Sequence, residues 1–224
     1  VQGDLLAIFK ERELHAASYT PSRVSAGEAA AFTVEKLRSA VGCDRPETIA
    51  LCGNRLVWTH SGGAVYTLLS ATKGVGCLSG PIERELAESA YEEASAAVFD
   101  GHYLLLLGNT AYLLRLDEGY HRYTIPEGRE DLKWMKWDFG GLGVSFRRIL
   151  ARDGRFVLEG YAARASDGAT VRFFFSSTAA GNDTVLETSD GPVFGERPVP
   201  YHLETKAYAF GERDTEKRVR RVTL

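Results

Sequence analysis

The sequence predicts an all-β chain of β-propeller-like blades, each of three to four antiparallel strands, with one short connecting helix; a β-sandwich is the alternative. Three observations predict it. In AAVFDGHYLLLLGNTAYLL (Ala96 to Leu114), two tight-turn dipeptides, Asp100-Gly101 and Gly108-Asn109, separate three apolar runs. That is the grammar of an antiparallel meander. The same pattern stands at Ile49 to Leu68, displaced by 47 residues and ungapped through two turns and three strands. It returns at Ile149 to Phe175, where Asp153-Gly154 matches Asp100-Gly101 at an offset of 53. Finally, the middle run of each copy is continuously apolar: Leu56-Val57-Trp58, Tyr103 to Leu107 and Phe156-Val157-Leu158. Continuous rather than alternating apolar residues mark a strand covered on both faces. A unit of about 45–55 residues with three or four strands cannot cover both faces alone, so successive units stack.

The elements follow in order. Gly3 to Ile8 matches Gly53 to Trp58 at an offset of 50 and opens a partial copy, near residues 3–18, that lacks its first strand. Thr20 to Ala31 is a polar, small-residue loop. The copies near 49–68 and 96–116 are joined by Ser79 to Ala97, where Pro81 stands near a helix start and Ile82, Leu86 and Ala90 share one face. Thr124 to Gly141 begins as a loop and ends in an aromatic strand around Trp134 and Trp137. The copy near 149–175 has a longer second turn. Blade repeats thus fill residues 1–187. The Gly/Pro-rich segment 188–200 reads as a linker, and 201–224 as a terminal strand pair around a charged turn, closing the ring or starting a further domain.

Composition excludes several function classes. A net charge of -3 over 224 residues argues against a nucleic-acid-bound domain. No apolar run approaches the roughly 20 residues of a membrane span, and no signal peptide is expected. Cys43, Cys52 and Cys77 are odd in number without CxxC spacing, which fits reduced thiols rather than a disulfide framework. Asp138-Phe139-Gly140 lacks every other kinase signature, and Gly140-Gly141-Leu142-Gly143 is no dinucleotide loop. The histidines His15, His60, His102, His121 and His202 are not paired at metal-ligand spacing. Asp100 and Asp153, the carboxylates a propeller glycoside hydrolase would need, occupy equivalent turns and are explained by turn preference. No catalytic, cofactor or metal residue is therefore expected. The one charged cluster that stands out is Arg213, Lys217, Arg218, Arg220 and Arg221, interleaved with Glu212, Asp214 and Glu216. It reads as a solvated strand edge, with a contact surface for an acidic partner as the functional alternative.

The order DLLAIFKERELHAAS, VGCDRPETIALCGNRLVWTHSGGAVYTL, LSGPIEREL, AAVFDGHYLLLLGNTAYLLRLD and WMKWDF, closed by LETKAYAFGERDTEKRVRRVTL, resembles the β-propeller structural proteins of tailed bacteriophages and prophages, including those of the tail-nozzle type. The resemblance rests on spacing and texture and transfers no catalytic residue. It implies a non-enzymatic virion structural protein that acts in tail or neck assembly through contacts with other virion proteins or its own copies. The expected location is then the virion, or the bacterial cytoplasm during assembly. The alternatives are a carbohydrate- or protein-binding propeller module and a propeller glycoside hydrolase. Opening at Val1 inside a repeat, the chain is expected to be either a piece of a longer protein or a ring closed out of order, with residues 203–224 supplying the first strand of the 4–18 unit.

Overall fold

The computed structural model describes residues 5–19, 32–37, 41–60, 63–70, 74–89, 93–116, 132, 134–164, 167–177, 182–186 and 194–198. These residues form antiparallel sheets with one short helix, so the all-β expectation holds. Sheet A comprises β1 (Leu5–Phe9), β2 (Leu14–Tyr19) and β3 (Phe32–Lys36) in that order. Sheet B is a meander of β4 (Ala50–Cys52), β5 (Arg55–His60), β6 (Ala64–Ser70) and β7 (Gly74–Cys77). Sheet C repeats it with β8 (Ser95–Phe99), β9 (His102–Leu107), β10 (Thr110–Arg115) and β11 (Trp134–Asp138). Sheet D has β12 (Ser145–Arg152), β13 (Arg155–Ala163) and β14 (Thr170–Ser176). A separate ribbon pairs β15 (Asn182–Leu186) with β16 (Phe194–Pro198), so part of the Gly/Pro-rich segment is strand.

Turn chemistry sets the registers. Phe99 pairs with His102 and Arg152 with Arg155, leaving two-residue turns at Asp100-Gly101 and Asp153-Gly154. All four residues have positive φ, the type I′ pattern whose twist matches the flanking strands, and aspartate and glycine tolerate it best. At Gly53-Asn54 and Gly108-Asn109 only the glycine has positive φ, as in a type II′ turn.

The sheets stack face to face in chain order, and each contributes alternate residues to its two neighbours. Leu56 and Trp58 of β5 pack towards Leu14 and Ala16 of sheet A, while Val57 between them joins Tyr103, Leu105 and Leu107 of sheet C. Leu104 and Leu106 turn the other way and meet Phe146, Ile149 and Leu158 of sheet D. The four consecutive leucines are therefore one strand shared by two cores, and all are essentially inaccessible.

Hydrogen bonds tie the junctions. Tyr103 Oη donates to the Thr48 carbonyl at 2.9 Å, and Trp134 Nε1 to the Leu78 carbonyl at 3.0 Å. Ser95 Oγ on β8 accepts from Ile149 N at 3.3 Å on β12, which brings the first strands of sheets C and D side by side. Close packing fixes Gly160 on β13, where a Cβ would come within 2.6 Å of Val144 Cγ1.

The connecting helix is short. A 3-10 turn, Gly80–Ile82, leads into α1 (Glu83–Ala87), and only Leu86 of that helix is buried. Pro81 sits in the 3-10 turn, and Ala90 falls outside the described residues. No helix among the described residues is long and apolar enough to cross a membrane. The proposed pairing of 203–224 with 4–18 also lies outside the described residues.

Candidate functional site

The basic cluster Arg213, Lys217, Arg218, Arg220 and Arg221 lies outside the described residues. Within them, three places gather polar chemistry.

The first is a groove of about 440 Å³ between the equivalent turns of sheets C and D, lined by Phe99, Asp100, Arg152, Asp153 and Arg155 among others. Both carboxylates stand in solvent, and Asp153 is within 3.3 Å of Arg152 Nε. A glycosidase acid needs a desolvated, proton-retaining carboxyl opposite its partner. These two are placed by their turns and surrounded by water and guanidinium groups instead.

The second is the outer face of sheet D. Strand alternation sends Glu159 and Tyr161 of β13 and Arg172 and Phe174 of β14 away from the core. Arg172 Nε lies 2.8 Å from Glu159 Oε1, and its guanidinium sits 4.8 Å from the Phe174 ring centroid. A bulge between Phe146 and Arg148 swings Arg147 out, where it covers the Tyr161 ring at 4.8 Å and bonds Glu93 at 3.0 Å. Tyr161 also donates to Glu159. That hydroxyl, and then Arg172, hold the Glu159 carboxyl below the ordinary carboxylate range, while the Tyr161 phenol is pushed up by the same bond. Glu159 is only 5% exposed, yet what covers it is its own sheet's side chains and no packed neighbour.

The third is the outer face of sheet A. Glu13 bonds Lys36, His15 (3.2 Å) and Lys10 (3.4 Å). The Lys36 ammonium first, then His15, hold the Glu13 carboxyl down at about 2. Beside this cluster the registers align Leu6, Ala17 and Val34 in one row and Ile8, His15 and Lys36 in the next.

These two end faces hold most of the exposed apolar bulk. Of seven large hydrophobic side chains exposed among the described residues, five lie here: Leu6 (48%), Ile8 (38%) and Val34 (55%) on sheet A, Leu150 (52%) and Phe174 (60%) on sheet D. Contiguous apolar rows bordered by charge are the ordinary composition of a protein contact surface.

The cysteines offer no nucleophile. Cys43 and Cys52 are buried, burial pushes both thiols up, and Cys52 Sγ donates to the Gly101 carbonyl at 3.3 Å. No group of three His, Cys, Asp or Glu side chains able to hold a metal ion occurs among the described residues.

Sequence reasoning missed the outer face of sheet D. Its signal was present as i, i+2 pairs, Glu159 with Tyr161 and Arg172 with Phe174, but the run Phe173-Phe174-Phe175 hides which phenylalanine faces out. No protein-family model matches this chain, and no curated protein matches it.

Proposed function

We propose that this chain is a non-enzymatic structural protein of a tailed-phage or prophage virion, acting in tail or neck assembly through protein–protein contacts, and that sheets A to D are β-propeller-like blades. The single observation that carries the assembly reading is the concentration of exposed apolar side chains on the two end faces of the stack. Blade character draws support from the serial stacking and from the side-by-side first strands of sheets C and D. The virion assignment draws on the sequence resemblance.

The test is compositional. Tailed particles purified from an induced host that carries this gene should contain its peptides at fixed stoichiometry by mass spectrometry. Deleting the gene should leave particles without complete tails. Complete, infectious particles from the deletion strain would refute the reading.

A second reading, a carbohydrate- or protein-binding module, draws on the groove at Phe99, Asp100 and Arg155. Glycan-array binding that is lost in Arg155→Ala would favour it.

A further inference from the structure

Sheets B and C each have one face on their predecessor and the other on their successor. Two faces are left over at the ends: the predecessor face of sheet A and the successor face of sheet D. They obey the same alternation as the covered ones. On β1, Leu5, Ala7 and Phe9 pack inwards while Leu6 and Ile8 are exposed; on β12 and β14, Ile149, Phe173 and Phe175 pack inwards while Leu150 and Phe174 are exposed.

The two faces also differ in relief. On sheet A the small Ala17, itself buried, lies between Leu6 and Val34 and forms the floor of a shallow apolar trough. On sheet D, Leu150 and Phe174 stand out as knobs, with Phe174 braced by Arg172.

We infer that the outer face of sheet D of one copy seats on the outer face of sheet A of the next, with Phe174 entering the Leu6–Ala17–Val34 trough, so that the stack continues from copy to copy instead of ending. This rests on the assembly reading above and deepens it by naming the partner, a second copy of this chain, and the two faces. The contact is heterologous, since each copy offers two different surfaces. Such a contact propagates beyond a dimer into a ring or a filament.

Val34→Lys spoils only the trough and Phe174→Lys only the knob. Both side chains are exposed, so each variant should keep the wild-type unfolding midpoint. By sedimentation velocity, the wild-type chain should associate with rising concentration, below about 100 µM, into species larger than a dimer. Each variant alone should weaken association at least tenfold. An equimolar mixture of the two should form a dimer and nothing larger, because one intact knob meets one intact trough and both outer ends are capped.

A wild-type chain that stays monomeric over that range overturns the inference, and so does a variant that associates like wild type. Two variants that fail to combine in the mixture overturn it as well. A chain that is monomeric yet present in purified particles would sink this contact and leave the virion assignment standing; self-association with no presence in particles would do the reverse.

Discussion

Glu13 shows how far one surface residue can tie stability to pH. Its carboxyl is held at about 2 by Lys36, then by His15, against an ordinary value of 4.5. A folded-state value below the unfolded one means that the ion cluster stabilises the fold above the unfolded value. That contribution is lost as pH falls through the window from about 4.5 to about 2. Glu13→Gln removes it at every pH. Thermal midpoints of wild type and Glu13→Gln should therefore differ near neutrality and converge as pH drops through that window. A gap that persists unchanged at pH 2 would mean that glutamine disturbs packing rather than charge. The site is solvent-exposed, so the gap should also narrow in high salt.

At the scale of elements, junctions are secured by a few polar side chains at strand ends. Asn109, in the turn between β9 and β10, donates from Nδ2 to the Val144 carbonyl at 3.0 Å and accepts from Phe146 N at 2.8 Å through Oδ1. Its own carbonyl accepts from Phe139 N at 2.7 Å. One turn residue thus clasps the chain entering sheet D. Asn109→Ala should lower the denaturation midpoint by an amount equal to about 1–3 kcal/mol, the usual cost of orphaning part-buried backbone groups. An unaltered midpoint would show that water replaces the side chain.

Elements also show what the sequence could and could not convey. The β8–β9 and β12–β13 hairpins were legible because Asp-Gly fixes both turn type and register, and β5 and β9 because a strand with two covered faces needs unbroken apolar residues. The outer strands were harder. β7 reads GVGC, two glycines that depress strand propensity and leave little periodicity. β3 reads FTVEK, and its charged end looks like loop. The assembly surface was concealed for another reason: three consecutive phenylalanines carry no alternation, and only pairing with β13 decides which one meets solvent.

Over the whole molecule, contacts run between chain neighbours, from sheet A to B, B to C and C to D. In such a one-dimensional stack, stability is close to a sum of unit terms and nearest-neighbour junction terms. Sheets B and C have two junctions each, while A and D have one. Amide hydrogen exchange of the monomeric chain should be slowest in β5, β9 and β10, and faster in β1 to β3 and β14. Equal protection across all four sheets would mean that the end faces are covered in the monomer, against both the stacking picture and the contact between copies.

The three tryptophans fall on the stack in a useful way. Trp58 is buried between sheets A and B, Trp134 stands between B and C with its indole nitrogen on Leu78, and Trp137 lies between C and D, 5.5 Å from the Phe156 ring. The chain carries three tryptophans in all, so each seam has its own intrinsic fluorophore. Emission kept from one indole at a time by Trp→Phe replacement of the other two turns a single optical signal into a record of which seam opens, and in what order.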